Sequence, residues 1–186
     1  MTGDDLRGKL LVAQPALRDP NFDRAVVLVL DHGDDGAIGL VLNRPSLTRL
    51  VEAWPEWGDY AAQPPVVFVG GPVVEEGAAI CLSRARSDDA TDAWKPVVSG
   101  IGTLDVSRAP GEVGTDIEEV RVFAGYAGWT AGQLEAEIAA GGWFVVDAKP
   151  VDSFTSDPEG LWRAVLGRQQ GMMAWFANFP PDIRLN

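Results

Sequence analysis

The sequence predicts an α+β fold in a single domain spanning residues 1–186. Its apolar residues fall in many short runs, each closed by Gly, Pro, Asn or Asp, which is the pattern of strands and turns. Helical patterns are few and confined to the middle and second half, so strands do not alternate with long helices as a doubly wound nucleotide fold requires. With 186 residues, 46% of them hydrophobic and 23% charged, one core is enough to hold the chain.

"KLLVA" (Lys9 to Ala13) is a short buried strand closed by Gln14-Pro15, and the prolines of "QPALRDPNFDR" make the next stretch a loop. "AVVLVLDH" and "DDGAIGLVLN" read as two strands joined at "HGDDG". Nearly every residue from Ala25 to Leu30 is apolar, as in a strand covered on both faces. Ser46 is placed to cap a short helix through Ala53, with Leu47, Leu50, Val51 and Trp54 on one face. "VVFVGGPV" and "GAAICLS" are strands, and "RARSDDATDAW" is an acidic loop. "KPVVSGIGTLDV" reads as one strand in which Gly100 and Gly102 mark a bulge or close packing. A second acidic loop, "APGEVGTDIEE", leads into the strand "VRVFAGY".

"TAGQLEAEIAA" is a helix ending at Gly141-Gly142, with Thr130 and Gln133 at capping-box spacing and Trp129 and Leu134 at hydrophobic-staple spacing. "WFVVDA" is a strand. "DPEGLWRAVLGRQQ" is a helix with Asp157 as N-cap and an apolar stripe of Leu161, Trp162, Val165 and Leu166. The tail "MMAWFANFPPDIRLN" is too apolar for a disordered end and is expected to pack on the body or on a partner. Trp129, Trp143, Trp162 and Trp175 are expected in the core; Trp175, Phe176 and Phe179 of the tail are the aromatics best placed to meet a partner, with packing on their own chain preferred.

Charge narrows the partners. Twenty-seven Asp and Glu oppose fifteen Lys and Arg, a formal charge of −12. Nucleic-acid affinity is largely phosphate neutralisation by cations, so direct binding of DNA or of anionic lipid is disfavoured and any macromolecular partner is expected to be a protein. No apolar run is long enough to span a membrane, and the polar start lacks a signal-peptide core. The single cysteine, Cys81, allows no internal disulfide and fits a reducing compartment, so the expected location is the cytoplasm. Nothing in the sequence distinguishes a monomer from a weak dimer.

Four segments together, "GKLLVAQPALRDPNF", "GAIGLVLNRP", "VFVGGPV" and "FAGYAGWTAGQLEAEIAAGGWF", resemble the bacterial YqgE/AlgH family, with weaker similarity in "LWRAVLG". The resemblance implies a bifurcated, mostly antiparallel sheet folded into a pseudo-barrel with flanking helices. Members carry the label of transcriptional regulator, and cysteine-based redox sensing is a further suggestion. It implies no catalytic residue to carry over.

The residues themselves offer little conventional catalysis. One His and one Cys cannot supply a four-ligand zinc site, and a calcium loop begun at Asp31 would place Gly33 and Leu42 where ligands belong; no metal or cofactor is expected. No G-x-S-x-G elbow or P-loop is present, and His32, the only imidazole, lies at a strand end where a turn residue is the simpler reading. Cys81 sits in an apolar run as a small hydrophobe, with Arg84 the one cation near enough in sequence to activate it for redox sensing. Asn43 and Arg44 precede Pro45 at a strand end. They either satisfy backbone groups and nearby acids, or form a ligand pocket with the glycine turns at Gly70, Gly71 and Gly125. The leading expectation is a non-enzymatic regulatory or binding protein acting through a protein partner. The alternatives are a small-molecule binder or enzyme using that glycine-lined pocket, and a Cys81 redox sensor.

Overall fold

The computed structural model describes residues 5–17 and 19–180. Its strands are β1 (Lys9–Ala13), β2 (Val26–Gly33), β3 (Gly36–Val41), β4 (Pro45–Arg49), β5 (Val66–Val69), β6 (Ala79–Ala85), β7 (Trp94–Val98), β8 (Ile101–Leu104), β9 (Ile117–Ala124), β10 (Ala127–Thr130) and β11 (Trp143–Asp147). Its helices are α1 (Leu50–Ala53), α2 (Gln133–Ala139), α3 (Pro150–Ser153), α4 (Leu161–Gly167) and α5 (Met172–Phe176). The fold is mixed α+β, with two sheets that are not closed into a barrel. One sheet has the order β10-β3-β2-β1-β11 and the other β4-β5-β9-β6-β8-β7. Strand pairing is antiparallel apart from β5 with β9. Among the described residues no helix is long and apolar enough to cross a membrane.

Strand periodicity explains the layering. Leu10, Val12, Leu28 and Leu40 of the first sheet, and Leu42 just beyond β3, share one cluster with Phe68, Leu82 and Phe123 of the second, and with Trp162 and Val165 of α4. The alternate residues of the same strands, Leu11, Val27 and Val41, pack with Trp129, Leu134 and Trp143 on the opposite face, which α2 covers. A side chain on each face of β1 and β2 is therefore buried, and residues Ala25 to Val29 have no exposure. The outer face of the second sheet holds a third cluster that includes Trp57, Cys81 and Trp94.

The chain crosses between sheets at a seam of glycines. Gly70 lies just beyond β5, and its carbonyl accepts from Val41 N (2.8 Å) while its N–H donates to Ala124 O (2.8 Å). A Cβ on Gly70 would collide with Gly125 O, and one on Gly71 with the Tyr126 backbone. Gly125 has φ +73° and a Cβ there would stand 2.6 Å from Gly71 O. Backbone thus lies directly against backbone, and Val73 and Tyr126 exchange two 3.0 Å hydrogen bonds beside it.

Several local expectations are corrected. Residues 46–49 are in strand β4, paired with β5, instead of the first turns of a helix, and α1 is a single turn from Leu50. Leu47 is 99% exposed, so its apolar character reported neither face. Helical spacing and an edge strand are hard to distinguish over four residues, and the ladder to Val66 and Phe68 decides the matter. "KPVVSGIGTLDV" is a hairpin, β7 and β8, turning at Ser99-Gly100. Thr130 ends strand β10 and does not cap α2; Gly132, φ +74°, occupies the N-cap. Half of the expected box persists, because Gln133 Oε1 still accepts from Thr130 N at 3.0 Å, and Trp129 and Leu134 share a cluster. Asp157 Oδ1 accepts from Gly160 N (3.1 Å) in the turn ahead of α4. Trp129, Trp143 and Trp162 are buried as expected, but Trp175 is not a core residue: it is 61% exposed, its ring resting on Phe176 and Phe179 at the surface, and the tail beyond Pro180 lies outside the described residues.

Candidate functional site

Two concave regions carry polar groups that face open space. The first is built around the ends of β2 and β3. Asn43 is buried; its Oδ1 accepts from Val26 N (3.0 Å) and its Nδ2 donates to Arg24 O (2.8 Å). This clamp brings Arg24, at the entrance to β2, beside Arg44, at the exit of β3. Among the described residues Arg24 is the one non-glycine residue with positive φ, +53°, a conformation that costs free energy and is held by its surroundings.

A turn of α4 completes the wall. Trp162 donates its indole N–H to Ala13 O (2.9 Å) and is fixed in place. The Arg24 guanidinium lies 4.7 Å from the Trp162 ring centroid and donates to Phe179 O at 2.8 Å; Arg163 reaches the same carbonyl at 3.4 Å. Arg44 donates to the carbonyls of Asp23 and Asn43. These groups, with Glu159, line a cavity of about 310 Å³. Burial lowers the pKa of Arg24, and the neighbouring Arg163 lowers it further. Burial likewise lowers that of Arg44, against the opposing pull of Asp23.

The second region is a cleft formed where Leu30 and Ile38 of the first sheet approach Ile80 and Leu104 of the second. This cavity of about 480 Å³ is rimmed by Asp31, Asp92 and Asp105, with Lys95 as its cation. A neighbouring cavity of about 500 Å³ is lined by the same Asp31 and Ile38 and adds Asp34, Asp35 and Tyr126. Ile38 is 41% exposed. His32 borders this cleft, but both ring nitrogens are occupied: Nδ1 accepts from Leu6 N (3.3 Å) and Nε2 faces Glu135 Oε1 at 2.7 Å. That fixes the tautomer as Nε2–H if the imidazole is neutral.

The residues expected to form one pocket are divided by the fold. Asn43 and Arg44 line the arginine cavity, whereas Gly70, Gly71 and Gly125 meet backbone at the sheet crossing and do not line it. Cys81 is 1% exposed, in the middle of the second sheet. Its Sγ points at Leu82 O (3.4 Å), and burial pushes its thiol well above the usual range. Little thiolate is available there for oxidation.

Other polar residues with structural roles were not singled out in the sequence. Arg121 is 1% exposed yet donates to Ser153 O, Thr155 O and Gln63 O, with its guanidinium 4.2 Å from the Phe68 ring centroid. Burial brings its pKa down to about 10. Asp152, also buried, makes a bidentate pair with Arg168 (2.6 and 2.7 Å). Glu137 Oε2 accepts from both Trp129 and Trp143 indoles at 2.9 Å. The only sequence signal for any of these was a lone charge inside an apolar run, as in "VRVFA".

Comparison with other proteins agrees with this architecture. The AlgH-like family model matches residues 10–174. A UPF0301 protein of Thermobifida fusca is 47% identical over 190 residues, covering 97% of this chain and 96% of the relative. One from Streptomyces avermitilis is 46% identical over 184 residues, covering 97% and 95%. Among solved structures, a Corynebacterium diphtheriae protein superposes with a TM-score of 0.85 at 26% identity, covering 93% of this chain and 92% of that one. The solution structure of the AlgH protein from Pseudomonas aeruginosa gives 0.69 at 28% identity, with 97% of each chain covered. Sequence and fold agree over nearly the whole length: the chain belongs to the AlgH-like family.

Proposed function

We infer that this is a non-enzymatic binding protein of the bacterial cytoplasm that acts through a protein partner, and that its cleft between the two sheets receives a basic, partly apolar segment of that partner. The carrying observation is the composition of the cleft. An apolar floor of Leu30, Ile38, Ile80 and Leu104 lies beneath a rim that includes Asp31, Asp92 and Asp105. Such a rim favours a cationic segment by Coulomb attraction, while the floor supplies the burial that holds it. The overall charge of −12 extends the same preference beyond the cleft. On this reading a regulatory role in transcription runs through a protein contact and not through DNA.

The small-molecule reading retains the Asn43/Arg44 cavity but loses its glycines, which pack against backbone. The Cys81 reading is opposed by the depth and raised pKa of the thiol. Photo-crosslinking from Ile38, replaced by p-benzoylphenylalanine, in extract of the native host tests the cleft. Crosslinks to Lys/Arg-rich segments that weaken with salt and in the Asp31→Asn/Asp92→Asn double variant are expected. Crosslinks indifferent to both, or confined to acidic segments, overturn the reading.

A further inference from the structure

We propose that the cavity between Arg24, Arg44 and Arg163 is a binding site for the phosphoryl group of a small phosphate monoester. The three guanidiniums come from three separate segments: the entrance to β2, the exit of β3, and α4. Each is tethered through hydrogen bonds to backbone carbonyls, of Phe179 for Arg24 and Arg163 and of Asp23 and Asn43 for Arg44. Among the described residues, none of the three is in an ion pair with a carboxylate. That is unexpected in a chain with 27 acidic residues against 15 basic ones, where a surface arginine readily finds an acid.

Asp23 and Glu159 also line the cavity, so its walls carry one net positive charge. That residual positive charge favours an anion in the cavity. Tethering to carbonyls leaves further N–H donors on each guanidinium, since each has five. Donors arriving from three directions suit a tetrahedral dianion, whose oxygens point to different sides, better than a planar carboxylate. The indole of Trp162, locked by Ala13 O, gives the site a rigid wall beneath Arg24. A volume of about 310 Å³ admits a small molecule, and the charge of −12 repels polyanions and anionic membranes from the surrounding surface.

The test is an NMR titration of the full chain with inorganic phosphate at low salt, read at the arginine Nε–H signals and the Trp162 indole. Saturable shifts confined to Arg24, Arg44, Arg163 and Trp162 are expected. Glycerol 3-phosphate should reproduce them and glycerol should not. Arg163→Gln, an exposed position, should weaken binding at least about tenfold, the effect of losing a charged hydrogen bond, with an unchanged melting temperature. Arg44→Gln should do the same and serves as the second variant. Shifts that never saturate, or equal affinity in Arg163→Gln, overturn the site. Equal affinity for succinate overturns the assignment to a phosphoryl group. Binding that emerges only in Asp182→Asn would mean the chain's own carboxylate is the occupant, and also overturns it. Ile38 crosslinking is independent of these outcomes, so the two readings fail separately.

Discussion

The glycine seam and the arginine cavity both lie where β3 leaves the first sheet, yet they are opposite kinds of place. At the seam, Gly70, Gly71 and Gly125 have no side chains because other backbone fills that volume. At the cavity, Arg24, Arg44 and Arg163 are large side chains around a volume the protein leaves open. A glycine creates room only where nothing else moves in. The difference teaches that glycine-rich turns at strand ends mark close approach as readily as they mark a ligand, and that here the ligand chemistry rests with the arginines.

The largest expected effect breaks the seam. Gly125→Val adds a side chain at positive φ and against Gly71 O, and should destabilise the fold by at least about 3 kcal/mol in urea denaturation. Gly77→Ala is the control: φ is +76°, but nothing lies within 4 Å of its Cβ position, so the loss should stay near 1 kcal/mol. Equal losses would show that conformation, and not close approach, governs the seam.

A smaller effect separates the buried from the open arginines. Arg121→Met strands the carbonyls of Ser153, Thr155 and Gln63 and should cost about 2 kcal/mol, whereas Arg163→Gln should change stability by less than about 0.5 kcal/mol. Reversal of that order in thermal denaturation would mean that the cavity arginines hold the fold together.

The smallest effect concerns Glu135, the partner of His32 beside the acidic cleft. A hydrogen bond from its own backbone N–H, then His32, lower the pKa of Glu135 in the folded protein. Its contribution is therefore present above the ordinary carboxyl value of 4.5 and is lost as the pH falls through the lowered folded pKa. Glu135→Gln should be slightly less stable than the wild type at neutral pH, and the gap should close in acid. A gap that widens in acid would contradict the assigned direction.

Much of the fold was legible because strands announce themselves locally. The strands Lys9–Ala13, Val26–Gly33 and Trp143–Asp147 each hold at least four consecutive apolar residues and lie at the expected places. Where the pattern was short or mixed it misled. Leu47 imitates a helix face while standing exposed on an edge strand, and Thr130 imitates a cap while ending β10. Of the candidate cavity, Asn43 and Arg44 were readable as polar residues held beside Pro45. Arg24 and Arg163 were not, because each looks like a solvated charge among acids until the clamp at Asn43 and the docking of α4 bring them to one wall.

By itself the sequence determined the local terms: that most of the apolar runs are strands, that the one from Ala25 to Leu30 is buried on both faces, that the chain is acidic, and its likeness to a family. Those follow from side-chain periodicity, backbone preference and charge, which neighbouring residues settle among themselves. Only the tertiary structure decided which glycines touch, that Arg121 is enclosed while Arg24, Arg44 and Arg163 face a cavity, and that an acid-rimmed cleft opens between the sheets. Each of these depends on residues far apart in the chain being packed together. A residue's own neighbours cannot specify what the rest of the chain places opposite it.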